Sequence, residues 1–426
     1  MPQCLKLGSL CGDISCLPFN IEFELFYLNR FRLPAGTFII VWRRLNSTLR
    51  GKGYQRINIM INYGFFAMPV HPANKDYGTI LRQNREAVIL CDRLGYSEAW
   101  IGEHFTSTGE PIPDPLQFLA SVIAETKSIR LGTAVLNLPL HHPVKLAGQI
   151  AQFDQLSGGR AMLGIGPGGL RSDLEIFGVP VEDGYFKMVE SVDIMTQLWT
   201  GEAPFDIKAE YWDDIVLKDF IQKDIGLGVQ VKPLQNPHPP FAYAMRQPNS
   251  GAMTIMVERD WIPLSGNFIP TSVVKKQWQA YCEACDTFSK PVKSKNWRAA
   301  RSILIADSDE QAEGYVAREN GSIQHYFHYL RSLEARRNMP DASDKERAEV
   351  IAQRVNEAIE QQIIVGSVKT VTDKLIAFRD SVGPFGTLLM TGYDWDDEVL
   401  WKNSIRKLAE EVMPVLNQHA TATDRH

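Results

Sequence analysis

Two rhythms of apolar positions alternate along this chain. The first is short, unbroken apolar runs: INYGFFAM (61–68), EAWIG (98–102), IRLGTAVLNLPL (129–140), RAMLGIG (160–166), FAYAM (241–245), WIPLSG (261–266), SILIA (302–306) and GTLLMTG (386–392). The second recurs every three or four positions, the period of a helix with one buried face. Ile80, Ala87, Cys91 and Leu94 share such a face, which predicts a helix over 76–94 that Gly95 ends. Met188, Val192, Met195 and Trp199 predict another over 185–199. Further helices are predicted over 115–127, 144–156, 272–288, from about Ser308, from Ser367 as N-cap, and over 397–416. The stretch 204–234 fits neither rhythm and reads as a hairpin insertion. The charged stretch 336–349 reads as a surface excursion.

The runs therefore count eight strands, each followed by a helix. Continuous apolar strands, in place of alternating ones, belong to parallel sheets covered on both faces. Eight βα units point to a closed TIM-like (β/α)8 barrel with insertions, an α/β fold; the rival is an open doubly wound sheet. No internal repeat and no Pro/Gly/Ser-rich linker divides 60–426. One barrel domain is expected over 60–418, with 419–426 as a tail.

The composition of the 426 residues, 44% hydrophobic and 22% charged, is that of a globular protein and excludes collagen-like or wholly disordered chains. A net charge of −5 and a pI near 6.0 give no reason to expect a nucleic acid or an anionic membrane as partner. The charge is uneven: residues 1–59 carry eight Lys/Arg against three acidic residues. Their longest uncharged run, 33–42, is too short to span a membrane, which takes ~20 apolar residues. Glu22, Glu24 and few serines weaken a transit-peptide reading. This segment is expected to be an extension outside the fold that begins at Met60. The six cysteines form no disulfide framework, which suits a reducing, cytoplasmic compartment.

In a barrel of this kind chemistry is built at the carboxyl ends of the strands. That rule selects Glu103, His104 and Phe105 after the second strand, and Asn137, His141 and His142 after the third. It also selects the glycine loop 164–169 after the fourth and MRQPNSG (245–251) after the fifth. His104 can act as a base or hydrogen-bond donor near neutrality, since imidazole titrates at about 6.5; a purely structural histidine is the alternative. Glu103 reads as structural. His141–His142 lacks a third ligand at metal spacing, so no metal is expected. Gly164, Gly166 and Gly169 match G-x-G-x-x-G, but Pro167 lies inside the turn and no acidic residue follows a second strand. The glycines are read instead as letting a planar or phosphorylated ligand approach the backbone. Asn249, Ser250 and Gly251 stand where a loop enters a helix, a place for a phosphate or for simple capping. Cys282 and Cys285 read as ordinary thiols one helical turn apart.

The pieces YGFFAMPVHP, LGYSEAWIGEHF, IRLGTAVLNLPLHHPVKLA, QLSGGRAMLGIGPGG, EIFGV and EEVMPVL, in this order, resemble the bacterial luciferase-like flavin monooxygenases, most of all the limonene-monooxygenase-like branch. The likeness spans about 62–416. It implies a TIM-like barrel that binds FMN without a Rossmann unit, and a separate reductase that supplies the flavin reduced. Dioxygen would then form a flavin hydroperoxide that oxidises a small, apolar organic substrate. It implies His104 as the catalytic residue and a cis peptide at Ala134–Val135 against the flavin. It also implies cofactor contacts from Asn137, Gly164, Gly166, Gly168, Asn249, Ser250 and Gly251, and a homodimer. A deazaflavin-dependent oxidoreductase and a flavin-binding protein without turnover are the alternatives on this fold. Where some relatives carry phosphate-binding arginines this chain has Pro167 and Tyr185; Lys187 or Arg171 could replace them.

Overall fold

The computed structural model describes residues 60–247 and 251–423. Their strands in chain order are β1 (Asn62–Ala67), β2 (Glu98–Ile101), β3 (Arg130–Asn137), β4 (Ala161–Gly166), β5 (Phe205–Ile207), β6 (Ile215–Leu217), β7 (Phe241–Met245), β8 (Ile262–Ser265), β9 (Arg298–Ile305), β10 (Ile363–Gly366) and β11 (Thr387–Thr391). Eight of them form a closed parallel ring, β1-β2-β3-β4-β7-β8-β9-β11, in which β11 returns to pair with β1. These eight are the eight apolar runs of the sequence. β5 and β6 make the expected antiparallel hairpin outside the ring.

Helices follow the strands and cover the barrel, and their starts are written in side chains. Asp76 accepts from Thr79 N–H ahead of Tyr77–Arg93, and Gly95 takes a φ of 79° just beyond that helix. Asp114, Ser308 and Ser367 cap three others in the same way, and Ser343 with Glu346 forms a reciprocal capping box.

Inside the ring, Phe66, Trp100, Met162, Ile262, Leu264, Ala300 and Leu389 pack as one apolar layer. Gly132 leaves the room that Trp100 fills, for a Cβ there would stand 2.5 Å from the indole. At the amino end the ring is plugged by Glu98, which pairs with Arg298 through two bonds of 3.0 and 2.9 Å and accepts from the Trp100 indole at 3.0 Å.

Two regions differ from the sequence reading. β9 starts at Arg298, four residues ahead of the SILIA run. Its first half, to Arg301, closes the ring against β11; its second half, Ser302–Ile305, carries β10, a strand outside the ring that the sequence did not suggest. The stretch 336–349 lies at the surface, as its charge suggested, but not as a loop alone. It contains the turn between two packed helices, Ser322–Asn338 and Asp344–Gln362.

Candidate active site

β2 ends at Ile101, and the chain turns outward through Gly102, Glu103 and His104. Each of these polar groups is gripped by a different loop. Glu103 is buried. Its carboxylate accepts from Asn137 N–H at 2.7 Å and meets His141 Nε2 at 2.7 Å, and its carbonyl accepts from the Asn137 amide at 3.1 Å. The structural reading of Glu103 holds, for it ties the β2 loop to the β3 loop.

His104 Nδ1 lies 2.9 Å from Asp173 Oδ2, on the short helix Arg171–Ile176 that follows β4. Asp173 also accepts from Phe105 N–H (3.2 Å), Thr106 N–H (2.8 Å) and the Thr106 hydroxyl (2.5 Å). A carboxylate on Nδ1 fixes that nitrogen as the donor, so Nε2 is the atom left for chemistry. Nε2 faces the buried Glu110, whose Oε2 is 3.6 Å away. Burial works to lower the His104 pKa, but the Asp173 bond and the charges of Glu110, Asp173 and Glu103 outweigh it and raise it above the ordinary 6.5. Burial likewise opposes ionisation of Asp173, yet the bonds from His104 and Thr106 hold its carboxyl below the usual range.

A small cleft, partly open to solvent, adjoins this pair, with Met68, His71, Asn84, His104, Glu110 and Ile112 in its wall. His71 follows β1 and is buried; its Nδ1 meets Asp394 Oδ1 at 2.5 Å and its Nε2 lies 3.3 Å from the Asn84 amide. Asp394 also receives Lys75 Nζ at 2.6 Å. Burial disfavours the Asp394 charge, but His71 and Lys75 together keep its carboxyl below the usual range. Outside the cavity an apolar lip is exposed: Phe105, Ile176, Phe177 and Val181, with the rings of Phe105 and Phe177 edge-to-face at 4.7 Å.

The Ala134–Val135 peptide is cis, as the resemblance implied. The β4 glycines have a reason other than a ligand. A Cβ on Gly164 would fall 2.0 Å from the Thr133 carbonyl, and one on Gly166 would fall 2.5 Å from Val135 Cγ2. The group that approaches these glycines is β3 itself, across the irregular stretch of the β3–β4 pairing between Thr133 and Leu136. Gly168 holds a φ of 93° against Leu174.

Asn249 and Ser250 lie outside the described residues, and Gly251 caps the short helix Ala252–Glu258. Lys187 Nζ sits 3.8 Å over the Trp212 ring. His142 also packs on Trp212, at 5.8 Å. Phe205 is buried in the main core and Phe220 is fully at the surface, so neither forms the wall of the His104 cavity. Cys282 and Cys285 are buried and form no disulfide among the described residues. Among the described residues no His/Cys/Asp/Glu group could hold a metal, and no helix is long and apolar enough to cross a membrane.

Sequence reasoning missed Asp173, Glu110, His71 and Asp394, and it took in Arg246 only as part of the 245–251 loop, without a role. Arg246 directly follows β7, reaches to 3.3 Å from a Cβ position on Gly169, and makes no ion pair among the described residues. Arg337, from the helix Ser322–Asn338, is near enough for its charge to act on Arg246. The strand-end rule, applied to every strand, finds His71, Arg246 and Asp394. Asp173 and Glu110 lie deeper in their loops, where no such rule reaches.

A planar, anionic cofactor fits this mouth. Met68, Val135, Tyr243 and Ala244 are only partly buried there, and the Arg246 guanidinium, without an ion pair among the described residues, stands at the rim. Residues 61–383 match the family model described as luciferase-like monooxygenase. The 4-hydroxyprotoasukamycin monooxygenase of Streptomyces nodosus subsp. asukaensis is 30% identical over 84% of this chain and 92% of its own. Limonene 1,2-monooxygenase of Rhodococcus erythropolis is 25% identical over 84% and 87%. Among solved structures, the oxygenating constituent of 3,6-diketocamphane monooxygenase from Pseudomonas putida, a type II Baeyer-Villiger monooxygenase in complex with FMN, superposes with a TM-score of 0.73. It is 25% identical and covers 83% of this chain and 98% of its own.

Proposed function

Because the chain belongs to the luciferase-like monooxygenase family and is a flavin-dependent oxidoreductase, we propose that it is the oxygenating component of a two-component system. In this reading a separate reductase delivers reduced FMN, and the chain uses it with dioxygen to oxidise a small apolar molecule. The observation that carries the reading is His104, locked through Nδ1 by Asp173 with Nε2 turned to a cavity at the carboxyl mouth of the barrel.

When bound, reduced FMN supplies the electrons that activate dioxygen. The chain's own residues do the rest. Met68, Ala134, Val135 and Ala244 offer an apolar floor for a ring, with Asn137 at its edge, Gly164 and Gly166 letting β3 and β4 lie close beneath it, and Gly168 turning the chain against Leu174. Arg246 and Arg337 offer charge to a phosphate. The lip of Phe105, Ile176 and Phe177 selects apolar substrates and sheds water. His104 Nε2 holds or accepts a proton at the reacting atom.

Titration with reduced FMN under anaerobic conditions tests the cofactor. Arg246→Met should weaken binding tenfold to a hundredfold, about 1.5–3 kcal/mol for a lost charge-assisted bond. Unchanged affinity removes Arg246 from the phosphate site, and binding of a deazaflavin in place of FMN overturns the monooxygenase reading. Oxygen consumption with a reductase, read across a panel of apolar ketones, terpenes and aromatics, then tests the substrate class.

A further inference from the structure

The Glu110 side chain is 8% exposed in the wall of the His104 cavity. Its Oε1 has no partner within strict hydrogen-bond geometry among the described residues, although the Tyr329 hydroxyl is near enough to act on the carboxyl, and its Oε2 faces His104 Nε2. The loop that carries it is fixed by other bonds. Glu110 N–H donates to the Ser107 hydroxyl at 3.1 Å, which in turn meets the Tyr329 hydroxyl at 3.0 Å. His71 N–H donates to Gly109 O at 2.7 Å, and His104 N–H to Ile112 O at 3.1 Å. None of these bonds needs a charge on Glu110. Burying a carboxyl with an unfilled oxygen is costly, so packing alone does not account for it.

We propose that Glu110 and His104 form one acid–base unit, in which a proton passes between His104 Nε2 and Glu110 Oε2. The identity of the substrate proton rests on the monooxygenase reading above; the proton sharing does not. His104 Nε2 takes a proton from the substrate through its lone pair. The N–H bond then breaks as an O–H bond forms on Glu110, and the imidazole returns neutral with its Nδ1–H still on Asp173. The 3.6 Å gap closes by a small side-chain movement or through one water.

The groups that act on Glu110 come from every surrounding element: His104 from the β2 loop, Asp173 from the helix after β4, Arg246 from the end of β7 and Tyr329 from Ser322–Asn338. His71 shares the cavity. Burial raises the Glu110 carboxyl above its ordinary range, against the pull of His104, Tyr329 and Arg246. His104 is raised as well, so carboxyl and imidazole both hold a proton more strongly than free side chains do.

The test is a nuclear magnetic resonance titration of the full chain without flavin or substrate, following the His104 ring and the Glu110 carboxyl carbon. In the wild-type chain both should report the same apparent midpoints, as coupled sites do. Glu110→Gln should move the His104 midpoint down by about one pH unit, because a carboxylate that favours the imidazolium is gone. Glu110→Asp should restore part of the shift. An unmoved His104 in Glu110→Gln overturns the proposal. If that variant does not fold, the wild-type titration decides: a Glu110 midpoint independent of His104 overturns it equally. Coupled midpoints in a chain that oxidises nothing with reduced FMN would leave the acid–base unit standing and sink the monooxygenase reading alone.

Discussion

His104 presents two nitrogens to two different surroundings, and their separation can be measured. Nδ1 belongs to Asp173 and Nε2 to the cavity. His104→Ala should leave FMN affinity and melting unchanged while slowing substrate oxidation by ~10²–10⁴-fold, read as product formed per reduced flavin consumed. Loss of FMN binding or early melting would make it structural. Asp173 has the complementary role, and its contribution to stability depends on pH from both sides. The His104 pKa is raised by the pair, so this contribution is complete below the ordinary histidine value and fades as pH climbs through the raised one. The Asp173 pKa is lowered, so its contribution is complete above the ordinary carboxylate value and fades as pH drops through the lowered one. Asp173→Asn should therefore cost most between about pH 4 and 6.5, on the order of 1.5–3 kcal/mol, and less on either side. Urea unfolding across a pH series measures it; a flat difference would show that the charge on the pair contributes nothing. On the alkaline side a remainder should persist, since Phe105 and Thr106 still donate to Asp173.

The elements differ in how plainly the chain announces them. The eight ring strands were legible because a strand buried on both faces has no polar positions to confuse the count. β9 was misread at its start because Arg298 and Arg301 look like surface residues. Arg298 instead reaches into the ring to Glu98, and the Arg301 side chain is buried, donating to the carbonyls of Gly266, Ile269 and Ala300 and lying over the Phe378 ring. Only the folded chain supplies those partners. β10 is four residues long and borrows the free half of β9, which no local pattern encodes. The site was legible to the same depth. His104 lies three residues past a strand end, whereas its partner Asp173 is 69 positions away on a helix of six residues. The β4 glycines were recognised, but their reason lies on the neighbouring strand. Gly164→Ala should destabilise by about 3 kcal/mol or more, because its Cβ would meet the backbone oxygen of Thr133, which cannot turn aside. Gly166→Ala meets the Val135 side chain, which has some freedom, and should cost less, about 1–3 kcal/mol. Chemical denaturation of both variants ranks them, and a reversed order would refute this account of β4.

Taken whole, the ring is complete within the described residues, from Asn62 in β1 to Thr391 in β11. A chain shortened to 60–426 should therefore melt within a few degrees of the full one by calorimetry. A larger fall would mean that 1–59 contribute to the fold. The ring also has a seam: Asn62 pairs with Thr387, and the Asn417 side chain bonds both the N–H and the carbonyl of Ile61 across 356 positions. The two sides of this seam leave the ribosome far apart in time. At ~5–20 residues per second, synthesis takes roughly 15–65 s to travel from β1 to β11. Through that interval the outer edge of β1 has no neighbour, and its unpaired backbone groups can be taken by any other strand that passes. A nascent chain halted short of Thr387 should be cut by protease within β1, and one released past Asn417 should resist. For this molecule, the period of greatest exposure to aggregation ends only with the last strand to be made.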